Sequence, residues 1–576
     1  MNSISPAEAV TAPLDDPFYY LANFRFVLGW VAEHHTDLLT REERGRLASF
    51  EALPQPSQAL LVRMVMRKGE LFRTGRLVYA EIGDTERALA PLVEAGWVEA
   101  DPVLTQGELF RLLRLAELRR ALAGEIAAAG LAPGASKTAI SEALSVQELQ
   151  AKRLAEWWPQ ANDALDGERI VRLAVMPWCD RLRLMFFGNL RQDWAEFVLA
   201  ELGLQRFERV ELTPGSRAFQ HREEVDAYLA LHALRERLEQ GEPLAALVAE
   251  LPSVPEKNVW LAQRRGKLAF LLGQAAERSG QEALALRLYA ESGEGAGGQV
   301  EARIRRLRLL ERLGEYRQAH ALASRAWAAA VDEQERQALA RLLPRLCRRL
   351  ELAPPSREPD AAVRRLDLCL PMAGAIGVER AVAEHLNRPE APVHYVENAL
   401  LTGLFGLLCW PALFAPLPGA FFHPFHVGPV DLYRDDFVAR RRERFDACLA
   451  RLDDGSHGEA IWRVWHEKRG VASPFVYWDV LDEGLLEQAL ACIPATHLRA
   501  CFERLLADLK ANRAGLPDLI QFLPGAASGE PRYRLIEVKG PGDRLQDNQR
   551  RWLAFFQAQG IEAVVCHVTW RQGGAS

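Results

Sequence analysis

At 576 residues the chain is too long for a single hydrophobic core, and about three or four domains are expected. Its 49% hydrophobic and 26% charged residues describe an ordinary soluble protein and exclude a disordered one. A net charge of −6 excludes a globally basic nucleic-acid coat, so any nucleic-acid role requires local basic surfaces.

The start, MNSISPAEAVTAPLDD, has neither the basic residues nor the apolar run of an export signal, and a cytoplasmic protein is expected. Eight cysteines are scattered without a C-x-x-C pair, which fits reduced thiols better than structural zinc or a disulfide framework. Residues 17–100 read as short helices. The last of these carries Ala88, Leu89, Leu92 and Val93 and runs into Gly96-Trp97-Val98, a glycine-capped helix followed by a short strand. This resembles a winged-helix-like unit, within an N-terminal helical domain over 1–105. Its basic cluster of Arg63, Arg67, Lys68, Arg73 and Arg76 suits a duplex backbone, or else is a solvated face.

From Leu112, Leu115, Leu118 and Leu122 recur at helical spacing, Gly130 closes a helix and Ser136-Lys137 opens another. AGLAPGASKTAISEAL resembles the SAP motif, a two-helix DNA-binding module, placed at 106–150, with Lys137 as a candidate DNA contact. Residues 151–222 read as a mixed α/β connection. Strands are expected at Ile170–Val175 and Arg183–Phe187, with DWAEFVLAELG a helix behind them.

From 223 to 350 helices follow one another with short loops. LLGQAAERSGQEALALRLYAES and LLERLGEYRQAHALASRA resemble tetratricopeptide units, which implies a short solenoid open to protein partners of unknown identity. One of its helices carries Arg303, Arg305, Arg306, Arg308 and Arg312. Arg305, Arg308 and Arg312 share a face that is either solvated or a phosphate clamp.

The Pro-rich stretch ELAPPSREPD (351–360) marks a boundary before a last domain at 361–576. Residues Asn398 to Phe422 lack charge over a length that could span a bilayer, but Pro411, Pro416 and Pro418 break it. A buried helix and a loop are expected there, with no membrane partner. Glu397, the one acid at the start of that apolar helix, reads locally as a dipole or capping residue. His394, His423 and His426 do not have zinc-site spacing and read as local structure.

Near the C-terminus, Leu519–Leu523 and Tyr533–Val538 are two apolar runs around a Pro-, Gly- and Ser-rich loop, the pattern of paired strands. Glu537 and Lys539, two apart, leave the same face. Antiparallel pairing brings Asp518 beside them. Two carboxylates on one face suit hard cations such as Mg²⁺ or Mn²⁺. A helix (Leu545–Gln557) and a strand (Glu562–Val568) follow.

That order resembles the PD-(D/E)xK nuclease core. GLPDLI, LIEVKGPGDRL, Gln549 and VVCHV resemble, more narrowly, the VRR-NUC domain of the Fanconi-associated nuclease family, with the core at 508–568. The order of N-terminal helices, SAP-like module, helical repeats and terminal nuclease is similar to that family as well. The resemblance implies a mostly α-helical multidomain chain ending in an α/β PD-(D/E)xK core. It implies one or two Mg²⁺ or Mn²⁺ ions held by Asp518, Glu537, the Val538 carbonyl and a third carboxylate, Glu397. Lys539 is then the catalytic cation and Gln549 a support for the site and its water.

The activity implied is structure-selective cleavage of flapped or branched DNA near 5′ flaps, with 5′→3′ trimming, leaving 5′-phosphate and 3′-hydroxyl ends. Its role would be interstrand crosslink repair, in the cytoplasm and at the nucleoid. One departure stands out. Some family members carry a cation of a 5′-phosphate pocket just before the helix glutamine, and here that position is Asn548, while Lys510, Arg513 and Arg544 remain as basic candidates. A junction resolvase, a restriction-type or RNA nuclease of the same core, and a non-catalytic DNA-binding scaffold stay open as alternatives.

Overall fold

Apolar residues at three- and four-residue spacing dominate residues 19–349, and in the computed structural model of the chain these stretches are helices. The structure describes residues 16–132, 134–145, 150–195, 206–255, 258–293, 299–330, 333–354, 364–371, 377–527 and 529–571. The chain divides into two units, 1–205 with 218–225, and 206–217 with 226–576.

In the first unit, helices Tyr19–His34, Arg41–Ala52, Gln55–Val65 and Thr85–Glu94 pack around a chain of tilted and edge-on rings through Phe24, Phe50, Trp97 and Trp178. Asp84 caps Thr85–Glu94 by accepting from the Arg87 amide, and Gly96, at φ +71°, ends it. The short strands are β1 (Leu71–Arg73), β2 (Val98–Glu99), β3 (Val103–Leu104), β4 (Lys152–Arg153) and β5 (Ile170–Leu173). β5 pairs antiparallel between β1 and β2. The sheet beside the N-terminal helices is thus completed by a strand about seventy residues downstream, which explains why the connecting region could not be read alone.

Two expectations are corrected here. The stretch Arg183–Phe187 is the last turn and a half of a helix, Met176–Phe187, not a strand. The alternation Arg181-Leu182-Arg183-Leu184 that leads into it mimics a strand, but burial of Trp178, Leu182, Met185 and Phe186 follows helical spacing, and Gly188 at φ +67° stops the helix. The long first helix of the SAP-like module is two short ones, Leu115–Ala121 and Ala123–Ala128, broken at Leu122 (φ −113°, ψ 25°). They pack with Lys137–Ser145 through Leu118, Leu122, Ile126, Ile140 and Leu144. From DWAEFVLAELG, residues 196–203 lie outside the described residues.

The second unit begins its solenoid with paired helices such as Val259–Arg278 with Glu282–Gly293, and Val300–Arg312 with Tyr316–Ala329. A Cβ at Gly273 would meet the Tyr289 ring at 2.8 Å, so only glycine permits the first pair to approach this closely. Of the boundary stretch, residues 355–360 lie outside the described residues. The charge-free stretch forms the helix Leu400–Leu408, buried at all nine positions, and a short turn of helix, Trp410–Leu413. No described helix is long and apolar enough to cross a membrane.

The C-terminal sheet contains β6 (Arg364–Pro371), β7 (Val393–Tyr395), β8 (Leu519–Phe522), β9 (Tyr533–Lys539) and β10 (Ala563–Arg571), in the order β6-β10-β9-β8-β7. β10 runs parallel to β6 and β9, while β8 is antiparallel to both β9 and β7. The alternation of strand side chains divides two cores. Leu519, Ile536 and Val538 join one, against Val382 and Val568. Ile520, Phe522, Tyr533 and Leu535 join the other, with Leu404, Trp552 and Phe556 from helices.

Candidate active site

The register of two strands builds the site. Leu519 pairs with Ile536, so the residues one step further out, Asp518 and Glu537, stand opposite each other. By the period of two, Glu537 and Lys539 share the face of Leu535, which packs with Leu404, Trp552 and Phe556. Glu537 is 1% exposed, and Asp518 and Lys539 are 8% exposed. The Val538 amide donates to Asp518 Oδ2 at 2.7 Å, and Lys539 Nζ lies 2.7 Å from Glu537 Oε1. At Gly515 the backbone turns through φ +87°, and a Cβ there would meet the Asn548 side chain at 2.7 Å. Glycine is thus required on the approach to Asp518 and β8.

Glu397 enters from the other side of the sheet edge. Tyr395 pairs with Leu519 at the end of β7, and the next amide, Val396, donates to the Asp518 carbonyl at 2.8 Å. A sequence separation of more than a hundred residues is thereby closed by one ladder. The Glu397 carboxylate accepts from the Tyr395 hydroxyl at Oε2 and from Asn398 Nδ2 at Oε1, the latter at 3.3 Å. Asn398 has φ +51°, unusual for a residue with a side chain, and its Oδ1 accepts from the Leu516 amide at 3.1 Å. Sequence reasoning overlooked Tyr395 and Asn398. The only signals were their places two before and one after the single acid of an apolar stretch.

Electrostatics at the site run against ordinary carboxylates. Burial pushes Asp518 up to about 6, with Glu397 adding to the rise and the Val538 hydrogen bond and Lys539 opposing it. Burial, then the neighbouring Asp518, pushes Glu537 up to about 7, with Lys539 opposing. Glu537 Oε2 is buried with no hydrogen-bond partner. A buried carboxylate oxygen left unsatisfied costs free energy unless a cation joins it, so the donor set fits a hard metal ion. Among the described residues no three His, Cys, Asp or Glu side chains already form a cage. Asp518, Glu537 and the Val538 carbonyl would be the inner donors, with Glu397 beside them.

The remaining candidates are more dispersed. Gln549 turns its Oε1 to the Gln546 amide at 2.9 Å, closing a capping box at the start of helix Asp547–Ala558 rather than reaching the carboxylates. His423 and His426 stack at 3.8 Å and are held well below the usual histidine range by burial, consistent with local structure. Several arginines are occupied internally. Arg63 pairs with Glu81 and lies over the Tyr20 ring. Buried Arg73 bridges Glu117 and Glu168. Arg303 binds Glu335, and Arg305 and Arg312 both bind Glu277. Lys137 Nζ donates to the Leu113 carbonyl at 3.0 Å, and half-buried Arg513 sits near the Tyr433 and Phe475 rings. Arg67, Lys68, Arg308, Lys510 and Arg544 are exposed.

With this geometry in place, the chain can be set beside known proteins. Residues 452–570 match the VRR-NUC domain, residues 103–157 the Fanconi anemia-associated nuclease SAP domain, and residues 18–99 the family described as FAN1, HTH domain. A Fanconi-associated nuclease 1 homolog of Pseudomonas aeruginosa is 52% identical over 567 residues, 98% of each chain. A homolog of the same description from Oryza sativa subsp. japonica is 25% identical over 615 residues, 96% of this chain and 62% of that one. A crystal structure of paFAN1 bound to 2nt 5′ flap DNA with gap superimposes with a TM-score of 0.83 at 52% identity, over 97% of this chain and 100% of that one.

Proposed function

The chain belongs to the Fanconi-associated nuclease family, a family of metal-dependent nucleases, and on that premise we propose how this member works. It is a structure-selective DNA endonuclease that uses Mg²⁺ or Mn²⁺ to cut near 5′ flaps, with 5′→3′ trimming, and serves interstrand crosslink repair in the cytoplasm at the nucleoid. The observation that carries this reading is the buried meeting of Asp518, Glu537 and Lys539 on one sheet face, with Glu537 Oε2 unpartnered.

Asp518 and Glu537 are the main metal ligands, the Val538 carbonyl a further donor and Glu397 a third carboxylate. When bound, the metal supplies a water of lowered pKa and positive charge at the phosphate. Lys539, held beside Glu537, keeps an ammonium where a scissile phosphate and its attacking water would sit. It orients that water and offsets charge that develops on phosphate oxygen. Water protonates the leaving 3′ oxygen, which yields a 5′-phosphate and a 3′-hydroxyl. Gln549 serves from the helix start, and exposed Arg67, Lys68, Arg308, Lys510 and Arg544 hold the backbone of flapped DNA.

The test is a panel of end-labelled 5′-flap, 3′-flap, four-way junction and single-stranded DNA, with the RNA counterparts, in Mn²⁺ and in EDTA. Cleavage of the 5′ flap ahead of the others, lost in EDTA, is expected. Preferred junction or RNA cleavage would replace this reading with another enzyme of the same core, and no cleavage of any substrate would leave a DNA-binding scaffold.

A further inference from the structure

We infer that Tyr395 and Asn398 are positioning residues that clamp the Glu397 carboxylate for metal binding, an inference that rests on Glu397 being a metal ligand. Glu397 follows the last residues of an edge strand and precedes an apolar helix, so its backbone lies at a turn that alone would leave the side chain free to rotate. Two side chains remove that freedom. The Tyr395 hydroxyl donates to Oε2 and the Asn398 amide to Oε1, one from each end of the carboxylate. Each oxygen keeps a lone pair for a cation, because a carboxylate offers about four acceptor positions.

The clamp is anchored to the opposite ligand. Asn398 Oδ1 accepts from the Leu516 amide at 3.1 Å, and the Val396 amide donates to the Asp518 carbonyl at 2.8 Å. Glu397 and Asp518 are therefore held by one set of bonds that runs from Tyr395 to Leu516. Asn398 meets this geometry at φ +51°, a conformation that a residue with a Cβ adopts at a cost, and strain of this kind collects where a side chain must be aimed. Tyr395 is 51% exposed, so burial of its ring alone does not aim its hydroxyl at Glu397. Both residues lie outside the 452–570 stretch that matches the nuclease domain. Outer donors to a ligating carboxylate fix its orientation, and their loss usually costs about 10- to 100-fold in metal affinity.

The experiment measures Mn²⁺ binding to the full chain by calorimetry for wild type, Tyr395→Phe, Asn398→Gly, Glu397→Gln and the Tyr395→Phe/Glu397→Gln double variant. Glycine tolerates φ +51°, so Asn398→Gly removes the amide without adding strain, and Tyr395→Phe keeps the exposed ring. Weaker Mn²⁺ binding by about 10-fold or more in both single variants, with unchanged flap affinity, is expected, and thermal unfolding in EDTA should stay unchanged for Tyr395→Phe, whereas Asn398→Gly also frees the Leu516 amide. In the Glu397→Gln background Tyr395→Phe should add nothing, and cleavage by Tyr395→Phe should return at saturating Mn²⁺. If Glu397→Gln weakens Mn²⁺ binding but Tyr395→Phe and Asn398→Gly do not, the clamp is overturned while the ligand stands. If Glu397→Gln itself binds Mn²⁺ as wild type does, the ligand assignment fails and the clamp falls with it.

Discussion

Asp518 and Val538 are joined across two antiparallel strands by a 2.7 Å hydrogen bond from the Val538 amide to Asp518 Oδ2. That bond sets the carboxylate's direction before any metal arrives, and it opposes the rise in pKa that burial imposes. Asp518 is thus tied to the backbone, whereas Glu537 is tied through Oε1 to the buried Lys539 ammonium and leaves Oε2 without a hydrogen-bond partner.

The two residues should separate in a mutational test. Asp518→Ala and Glu537→Ala are both expected to abolish cleavage while flap binding persists, because each removes a metal ligand and no phosphate contact. Asp518→Ala also strands a buried amide, at a cost of about 1–3 kcal/mol, whereas Glu537→Ala leaves the buried Lys539 ammonium without its partner. Thermal unfolding in EDTA, with gel shifts on 5′-flap DNA, checks both parts. Full cleavage in Mn²⁺ by either variant contradicts the site.

Lys539→Ala should stop turnover yet leave Mn²⁺ affinity nearly intact, since an ammonium cannot ligate a cation. Its contact with Glu537 at 2.7 Å makes the opposite outcome easy to see. Calorimetry that finds Mn²⁺ binding lost would show that Lys539 organises the ligand rather than the reaction.

Metal binding should depend on pH in a window that ordinary carboxylates do not reach. Asp518 is raised to about 6 and Glu537 to about 7, chiefly by burial. Below these values the metal-free site holds protons that Mn²⁺ must displace, so affinity falls as pH drops through that range. The loss approaches tenfold per unit for each proton released. Carboxylates titrating near 4 would give an affinity flat above about pH 5.5. Calorimetry in buffers of different ionisation heat counts the protons released at pH 6 and decides between the two.

Much of this was legible because a strand's period is so simple. Asp518, Glu537 and Lys539 were brought together from the alternation of two runs and the order of the helix and strand behind them, and the register of Leu519 with Ile536 has that effect. What stayed hidden depended on contacts far apart in sequence. β5 completes a sheet with β1 and β2, and no local pattern in Ile170–Leu173 indicates that partner. Arg183–Phe187 follows an Arg-Leu alternation that looks like a strand, and only its place at the end of the helix that begins at Met176 reveals otherwise. Arginine clusters were the least readable, because charge on a helix says nothing about whether a glutamate from another element already occupies it.

That difference supports a last prediction about the basic residues. Arg73 is buried between Glu117 and Glu168, whereas Arg308 and Lys68 are exposed to solvent. Arg73→Ala leaves two partly buried carboxylates without their cation, a change that usually costs about 3–5 kcal/mol, and it should lower the unfolding temperature of the first unit. Any weakening of DNA binding should follow that loss of fold and vanish when stability is restored by low temperature. Arg308→Ala and Lys68→Ala should leave unfolding unchanged, because an exposed cation contributes little. If these residues touch phosphates, each should flatten the dependence of flap binding on salt by about one unit of slope. Measuring affinity for a 5′-flap at several salt concentrations, beside thermal unfolding of the same proteins, separates the two kinds of arginine. An unchanged slope for Arg308→Ala would remove the solenoid from the DNA path, and a flattened slope in a fully stable Arg73→Ala would place that arginine on the DNA instead.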